Sequence, residues 1–325
     1  MFEKFNNVGD HTILVIGDII LDKYVYGHSS RISPEAPVPI VLSQNVSYIL
    51  GGAANVAANL TSLGAKAILM GCIGNDNHGD LILDILKSEI GNITGVYRSE
   101  KITTTKTRIV SKGQQMLRID EEDSSSISSD EEDSFYAMIE KAILDQSVTG
   151  VILQDYNKGL FTKSLIKKII DLANLNKIPF YVDPKHTNFW DYKGAQIFKP
   201  NLSEIQKANY LSDSSSLDEL LLASAEKLEC GILMCTLADE GIAYIENGKV
   251  ERTETQKIDV IDVSGAGDSA LSIIVLSHLL GYDTKKISIF ANLCGRVVCM
   301  KSGVSTLTIK ELKGTFYSVS EDNVK

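Results

Sequence analysis

The segment DVSGAGDS sets two aspartates around three small residues, just before a long apolar run. Gly265, Ala266 and Gly267 leave their peptide N–H groups open to close approach by a ligand. The apolar run (ALSIIVLSHLLGY) predicts a buried helix, so these N–H groups would lie at its positively polarised amino end, where an anion binds. Phosphate oxygens that gain charge during transfer fit such a place. Asp268 would repel this anion, unless it takes part in the chemistry by accepting the proton of an attacking hydroxyl.

Two further segments carry groups that suit a ligand with many hydroxyls. Asp18 and Asp22 follow the first predicted strand, in the segment GDIILDKYVYG. Two carboxylates there can accept hydrogen bonds from several hydroxyls of a ligand. The alternative to this binding role is a structural one, in a turn and a helix cap. In GGAANVAANL, Gly51 and Gly52 permit close backbone approach, and Asn55 lies one turn into a helix of small residues. Tight helix packing is the alternative interpretation of that second segment.

A fourth segment, KPNLSEI, places Asn201 and Glu204 three residues apart, so that they face the same way on a helical turn. An amide and a carboxylate in this arrangement can hold the water ligands of Mg²⁺. The alternative is a capping interaction at the start of a helix. An anion site, a base and a pair that assists magnesium together predict phosphoryl transfer to an alcohol.

These segments must be positioned by a framework of strands and helices. Continuous apolar runs predict strands buried on both faces, and amphipathic runs between them predict helices. The strands are predicted at TILVIG, AILMGCIG, GVILQDY, PFYVDP, AQIFKPN and GILMCTLA. Their repeating order predicts an α/β fold with a doubly wound, mostly parallel sheet and helices on both faces. Ligands of such sheets bind outside the carboxyl ends of the strands, on loops that open the next helix.

Two regions depart from this order. Residues 38–50 and 103–120 mix polar and branched side chains and are predicted as half-exposed β-ribbons, which form a small sheet over the main one. The acidic, serine-rich segment 120–133 is predicted to be a solvated connector that leads to a helix, with a cation site as the alternative.

The composition argues against several classes of protein. The 32 basic and 42 acidic residues give a net charge of −10 without any basic block, so a nucleic-acid partner is not expected. No segment reaches the roughly 18 uninterrupted apolar residues of a membrane span, and no signal peptide is visible, so we expect a cytoplasmic protein. The five cysteines are predicted to be buried core thiols, because the two closely spaced pairs lie in apolar text where zinc ligands are not expected.

GGAANVAANL, DVSGAGDS and KPNLSE resemble the signatures of the ribokinase-like, PfkB-type carbohydrate kinases, and the resemblance covers essentially the whole chain. It implies a single domain, 1–325, with a small β-sheet lid and a homodimer formed through that lid. It also implies ATP and Mg²⁺ as cofactors and Asp268 as the catalytic base. The anion hole would be residues 265–268, while Asn201 and Glu204 would organise Mg²⁺–ATP, with Glu204 acting through water.

The segment CTLADEGIAY resembles the nucleotide loop of the same family. By this resemblance, Thr236, Gly241 and Asn292 are expected beside the nucleotide. Ala238 departs from the pattern, because a Gly or Ser is usual at that position, and this departure bears on the close contact between loop and nucleotide. The residues before the anion hole are Val and Ser instead of the commoner pair of threonines.

A closer resemblance is to the heptose-phosphate kinases, carried by GDIILDKYVYG, RISPEAPVPIV, KTRIVSKGQQMLRID, DYNKGL and VDPKHTNFWDYKGA. It implies phosphorylation of D-glycero-β-D-manno-heptose 7-phosphate at its anomeric hydroxyl, as in the synthesis of nucleotide-heptose precursors of lipopolysaccharide. In many bacteria this kinase is fused to a nucleotidyltransferase, which we expect here as a separate protein. A substrate phosphate needs local cations, and the candidates are Arg31, Arg108, Lys158 and Lys185.

Three alternatives remain at this point. The first is a ribokinase-like kinase for another sugar or sugar phosphate, and the second is a non-catalytic sugar-binding protein of the same fold. The third is a nicotinamide-dependent oxidoreductase, whose G-x-G-x-x-G fingerprint would follow the first strand directly. GDIILD stands there instead, with a single glycine, which argues against this third class.

Overall fold

The structure, a computed structural model, describes residues 1–209, 216–246 and 248–322. The strands are β1 (Thr12–Gly17), β2 (Ile19–Ile32), β3 (Pro39–Gly52), β4 (Lys66–Gly74), β5 (Val96–Ser99), β6 (Thr105–Ser111), β7 (Gln114–Glu121), β8 (Gly150–Gln154), β9 (Phe180–Asp183), β10 (Ile197–Phe198), β11 (Ile232–Thr236), β12 (Ile242–Glu246) and β13 (Lys249–Thr253). The helices are α1 (Ala53–Ser62), α2 (Asn77–Glu89), α3 (Ser129–Asp145), α4 (Lys163–Leu175), α5 (Leu202–Ala208), α6 (Leu217–Leu228), α7 (Ala266–Leu279), α8 (Thr284–Cys299) and α9 (Ile309–Asp322). Short 3-10 helices span Glu3–Asp10 and Ala238–Glu240.

The main sheet has the strand order β13-β12-β11-β10-β9-β8-β1-β4-β5. The strands from β5 to β11 in this order are parallel, and β12 and β13 are antiparallel additions at one edge. Residues 13–16 of β1 are fully buried, as expected for a strand covered on both faces. The predicted doubly wound α/β fold is therefore confirmed.

Helices cover both faces of this sheet and form two hydrophobic cores. One core contains side chains of α1, α7 and α8, such as Leu60, Leu271 and Phe290. The other contains side chains of α3 and α4, such as Phe135 and Ile169. The amino ends of α1 and α7 meet, because Asn55 in the first turn of α1 donates a hydrogen bond to Asp268 in the first turn of α7.

A second sheet has the strand order β3-β2-β6-β7 and is called the lid here. The ribbons predicted at 38–50 and 103–120 are found in β3, β6 and β7. The prediction for GDIILDKYVYG was wrong, because this segment is not a loop that opens a helix but the first half of β2. Its branched and aromatic side chains favour extended backbone, which pairs with β3 on one side and with β6 on the other.

Within the acidic segment 120–133, residues 122–128 form the predicted connector, while 120–121 end β7 and 129–133 begin α3. The connector joins β7 to α3, whose amino end carries a capping box formed by Ser128 and Glu131. Within the described ranges, no group of three or more His, Cys, Asp or Glu residues could hold a metal ion, in this segment or elsewhere.

The cysteines are free thiols, as predicted, although their burial is uneven. Cys235 and Cys294 are buried, but the prediction of burial was wrong for Cys72, Cys230 and Cys299, which are half-buried. No helix in the part of the chain that the structure describes combines the length and the apolar character that a bilayer span requires.

Candidate active site

The candidate site lies where the strands of the main sheet end. The carboxyl ends of β1, β8, β9 and β10 carry, in the same order, Asp18, Gln154, Asp183 and Lys199. All four side chains are buried. Adjacent parallel strands bring these ends to one edge of the sheet, which is where α/β proteins bind ligands.

The amino end of α7 is where the sequence predicts an anion hole. Gly265 precedes this helix with φ 77°, in the left-handed region that favours glycine. The N–H groups of Gly267 and Asp268 have no acceptor within the described part of the chain. A Cβ added at Gly267 would meet no atom within 4 Å, so open space lies beside the helix at this residue. The geometry fits an anion at a helix amino end.

Asp268 lies in the first turn of α7 and is only 3% exposed. Its Oδ2 accepts a hydrogen bond from Nδ2 of Asn55 at 2.9 Å. Its Oδ1 accepts one from the hydroxyl of Tyr156 at 2.7 Å and one from Nε2 of Gln154 at 3.0 Å. Burial raises the pKa of Asp268 to about 6, although the hydrogen bonds from Asn55 and Tyr156 oppose the increase. A carboxylate with such a pKa is ionised near neutral pH and still basic enough to accept a proton.

The groups around Asp268 are themselves fixed by buried contacts. Asn55 accepts a hydrogen bond at its Oδ1 from Nδ2 of Asn59 at 2.9 Å, which leaves its own amide hydrogens for Asp268. Gln154 also donates to Oδ2 of Asp183 at 3.2 Å. Asp183 in turn forms a buried ion pair with Lys199 at 3.1 Å, so its charge is balanced.

Asp18 is a second buried carboxyl group at this edge. Its Oδ2 accepts hydrogen bonds from the backbone N–H groups of Tyr156 at 2.7 Å and Lys158 at 3.2 Å. Burial, and then the nearby charge of Asp155, raise the pKa of Asp18 to about 7. The backbone carbonyl of Asp18 would lie 2.4 Å from a Cβ at Gly52, whose φ is 60°, so only glycine fits there.

Asp22 lies in strand β2 of the lid and is buried. It forms an ion pair with Arg108, whose guanidinium lies 5.2 Å from the ring centroid of Tyr24. A Cβ at Gly51 would lie 2.3 Å from Oδ2 of Asp22, which explains why the glycine at this position permits the close approach of the two strands.

The structure pairs three of the four cations predicted for a substrate phosphate. Arg108 pairs with Asp22, Lys185 pairs with Glu204, and Nζ of Lys158 lies 2.7 Å from Oε2 of Glu122. Arg31 is placed differently, because it is exposed near the far end of β2 and has no hydrogen bond or ion pair within the described residues. It lies nine residues beyond Asp22, or about 30 Å along an extended strand.

Several residues at the site were missed by the sequence analysis. Gln154, Asp183 and Lys199 stand at strand ends inside segments that were read only as strands, so the carboxyl-end rule could have identified them. Tyr156 follows one of these strands, and its ring lies 4.9 Å from Nζ of Lys185. Nζ of Lys106 lies 5.6 Å from the centroid of the same ring. Lys106 pairs in register with Asp22 of β2, so its place at the site could have been found only from the strand pairing.

Asn201 and Glu204 form a capping box at the start of α5, the alternative left open by the sequence. Oδ1 of Asn201 accepts from the N–H of Glu204, and Oε2 of Glu204 accepts from the N–H of Asn201, both at 2.8 Å. Oε1 of Glu204 accepts from Lys185. Because both carboxylate oxygens are engaged, this pair fits magnesium only through bound water.

The residues expected beside a nucleotide lie at β11 and on α8. Thr236 ends β11 and forms a backbone bridge with Asn201. Asn292 of α8 donates to the carbonyl of Thr253 at 2.9 Å. Ala238 has φ 54°, a left-handed conformation that costs a residue with a side chain about 1–2 kcal/mol. A glycine at the position of Ala238 would avoid this cost.

The chain was compared with known families and proteins. The family model described as pfkB family carbohydrate kinase matches residues 10–311. The bifunctional protein HldE of Helicobacter pylori strain J99 is 38% identical over 303 residues, which cover 92% of this chain and 65% of that protein. The HldE of Koribacter versatilis is 39% identical over 312 residues, which cover 94% and 63%. The chain thus spans less than two thirds of the length of these relatives.

Solved structures share the fold at low sequence identity. Phosphofructokinase-2 from Escherichia coli in complex with substrates and products has a TM-score of 0.79 and 15% identity, and the match covers 95% of this chain and 99% of that one. A putative ribokinase from Agrobacterium tumefaciens has a TM-score of 0.76 and 17% identity, with 96% and 99% covered. At these identities the likeness supports the ribokinase-like fold alone.

Proposed function

Because this chain belongs to the pfkB family of carbohydrate kinases, and is therefore a phosphotransferase with an alcohol group as acceptor, we propose a specific reaction for it. The γ-phosphoryl group of ATP is transferred to the anomeric hydroxyl of D-glycero-β-D-manno-heptose 7-phosphate, which gives the 1,7-bisphosphate and ADP. This acceptor is supported by the sequence of the lid and of the loops after β8 and β9, which resembles that of the heptose-phosphate kinases.

The observation that carries the proposal is the placement of Asp268 next to two free N–H groups at the start of α7. Asp268 takes the proton of the attacking hydroxyl, while the N–H groups of Gly267 and Asp268 stabilise the charge that grows on the transferred phosphoryl group. Asp18, Asp22 and Asn55 are suited to bind the sugar hydroxyls. These roles place the acceptor between the edge of the main sheet and the lid.

Magnesium is proposed to arrive with the nucleotide, in keeping with its preference for phosphate oxygens and water. When bound, it neutralises the charge of the phosphate groups. Asn201 and Glu204 would hold its water ligands, since their own oxygens already accept hydrogen bonds within α5 and from Lys185. Thr236, Gly241 and Asn292 would contact the nucleotide.

Lys106 is the cation best placed to receive the phosphate of the acceptor. It is half-buried and has neither a hydrogen bond nor an ion pair within the described residues. Burial lowers the pKa of Lys106, with Asp22 opposing and the nearby charge of Lys158 adding to the effect. A bound phosphate dianion would relieve this unfavourable position of the ammonium group. Since the net charge of the protein is −10, local cations must supply the attraction for a phosphosugar.

Acceptor specificity is tested by measuring ADP release with Mg²⁺–ATP and a panel of acceptors. The panel contains the heptose 7-phosphate, the free heptose, fructose 6-phosphate and ribose. We expect kcat/KM to be highest for the heptose 7-phosphate and at least about 10²-fold lower for the free heptose, because the half-buried ammonium group of Lys106 is then left without a partner. Equal values for the two heptoses would contradict the proposed acceptor and leave only a sugar kinase of other specificity.

The role of Lys106 is tested with Lys106→Met and a matched variant, Lys112→Met, on the exposed turn of the same lid hairpin. Lys106→Met should raise KM for the sugar phosphate about 10-fold to 100-fold, the value of a hydrogen bond to a charged group, and leave KM for ATP unchanged. Lys112→Met should change neither constant. An unchanged KM for the acceptor in Lys106→Met would remove Lys106 from the phosphate site.

We also expect a homodimer formed through the lid, and a reaction located in the cytoplasm, where ATP is produced. Strand register places Val46, Tyr48, Leu117 and Ile119 on the face of the lid opposite to Asp22. All four are exposed, between 37% and 53%. A second copy of the lid is the proposed cover for this apolar face.

A further inference from the structure

Tyr156 touches Asp268 directly, although no part of the reaction described above uses it. Its hydroxyl donates to Oδ1 of Asp268 at 2.7 Å, while its backbone N–H donates to Asp18 at 2.7 Å. Two ammonium groups lie near its ring, with Nζ of Lys185 at 4.9 Å and Nζ of Lys106 at 5.6 Å from the ring centroid. Tyr156 thus joins the base, the sugar-binding carboxyl group and two cations in one unit.

The hydrogen bonds distinguish the two oxygens of Asp268. A carboxylate oxygen offers about two lone-pair sites. Oδ1 already accepts from Tyr156 and from Gln154, so both of its sites are occupied. Oδ2 accepts only from Asn55 within the described residues, so one of its sites is left for the hydroxyl of the acceptor.

We infer that Tyr156 is a positioning residue, which occupies Oδ1 of Asp268 and thereby directs the acceptor hydroxyl to Oδ2. This inference rests on the proposed function of the site. In the reaction, the hydroxyl proton passes to Oδ2, and the hydroxyl oxygen forms a bond with the γ-phosphorus of ATP. The bond from that phosphorus to the β,γ-bridging oxygen breaks, and ADP leaves with the electron pair.

The same hydrogen bond sets the pH at which the base is available. The hydroxyl of Tyr156 stabilises the ionised form of Asp268 and so opposes the effect of burial on its pKa. The other charged groups that face this carboxylate are Asp183 of β9, Lys185 on the following loop and Lys199 after β10. Removing only the hydroxyl leaves these three charges in place.

The test compares Tyr156→Phe with Tyr192→Phe. Tyr192 is fully buried, whereas Tyr156 is half-buried, and it too donates to a carboxylate at 2.7 Å, but to Asp155 instead of the base. Tyr156→Phe should move the acidic limb of kcat/KM that belongs to Asp268 upward by about one pH unit, the size expected for one hydrogen bond to a charged group. Tyr192→Phe should leave this limb where it is.

A direct titration keeps the inference testable if the variant is inactive. The carboxyl ¹³C resonance of Asp268, assigned by its loss in Asp268→Asn, is followed with pH in the free protein. Its midpoint should rise in Tyr156→Phe and fall when 3,5-difluorotyrosine, a stronger donor, is incorporated at position 156. An unchanged midpoint in both variants would overturn the inference.

The two failures can be told apart. If no sugar phosphate is an acceptor for the wild-type protein, the proposed function fails, while the ¹³C titration still decides the role of Tyr156. If the acceptor is confirmed and neither limb nor midpoint moves in Tyr156→Phe, the inference alone fails, and a loss of kcat would then reflect altered packing.

Discussion

Asp18 and Asp268 are buried carboxyl groups whose pKa values are raised, to about 7 and about 6. Both must be ionised in the proposed reaction, one to accept hydrogen bonds from the sugar and the other to accept a proton. We therefore predict that kcat/KM falls as the pH decreases below about 7, with a logarithmic slope near one that approaches two below about pH 6. In Asp18→Asn the remaining activity should show a slope of one only.

The stability of the protein should change in the opposite direction over this range. Each pKa is higher in the folded state than its ordinary value of 3.8, so the folded state binds protons more tightly. These two groups therefore add to the free energy of unfolding as the pH falls and subtract from it as the pH rises through 6 to 7. A melting temperature that is not lower at pH 6 than at pH 8 would show that the lost activity is not unfolding. If the logarithmic slope of kcat/KM against pH stays at one below about pH 6 in the wild-type protein, the requirement that both Asp18 and Asp268 be ionised is contradicted.

The sequence could predict individual site residues where a short local motif carries the signal. Asp268, Asn55 and Asp18 belong to short motifs, and the structure brings all three to one edge of the sheet. The sequence alone could not identify Tyr156 or Lys106, because both are placed at the site by contacts with residues that are distant in the chain. Tyr156 reaches the base from a loop more than a hundred residues earlier in the chain.

At the scale of elements, the amino end of α7 contains two glycines, and the space around the Cα atom differs between them. A Cβ at Gly265 would lie 2.8 Å from Nδ2 of Asn55, whereas one at Gly267 would meet only open space. We predict that Gly267→Ala folds with an equal or higher free energy of unfolding, because alanine favours the helix by about 1 kcal/mol. Its methyl group would occupy the proposed phosphate position and reduce kcat by about 10²-fold, as does the loss of a donor to a developing anion.

The matched control for this helix is Gly314→Ala in α9, where an added Cβ also meets no atom within 4 Å. It should gain similar stability in thermal unfolding and keep the wild-type kcat. If Gly267→Ala also kept the wild-type kcat, the amino end of α7 would not be the anion hole.

The pattern of apolar residues predicted some strands and missed others. The buried strands of the main sheet were predicted closely, because continuous apolar runs leave few other interpretations. β2 was missed because it begins two residues after β1 ends, and a sequence pattern does not show that a chain has crossed from one sheet to another. Asp22 was consequently expected on a loop, while it lies within a lid strand.

At the scale of the whole molecule, the lid is expected to hold two copies together. We predict that the protein in solution has twice the monomer mass by light scattering after size-exclusion chromatography. Leu117→Glu combined with Ile119→Glu should give the monomer mass, because charges would be buried without partners in the interface. Leu144→Glu combined with Leu175→Glu places the same charges on exposed helix positions outside the lid and should leave the mass unchanged. A monomeric wild-type protein would contradict the dimer.

Phosphoryl transfer to a sugar phosphate, with Asp268 as the base, is the reaction on which the other predictions depend. The most direct measurement is ³¹P NMR of Mg²⁺–ATP and D-glycero-β-D-manno-heptose 7-phosphate, with the wild-type protein and Asp268→Asn at equal concentration. The wild-type protein should produce ADP and a new anomeric phosphomonoester in equal amounts, and Asp268→Asn should do so about 10²-fold to 10⁴-fold more slowly with its melting temperature retained. ADP without an anomeric phosphate, or a rate for Asp268→Asn within tenfold of the wild-type rate, would contradict the account.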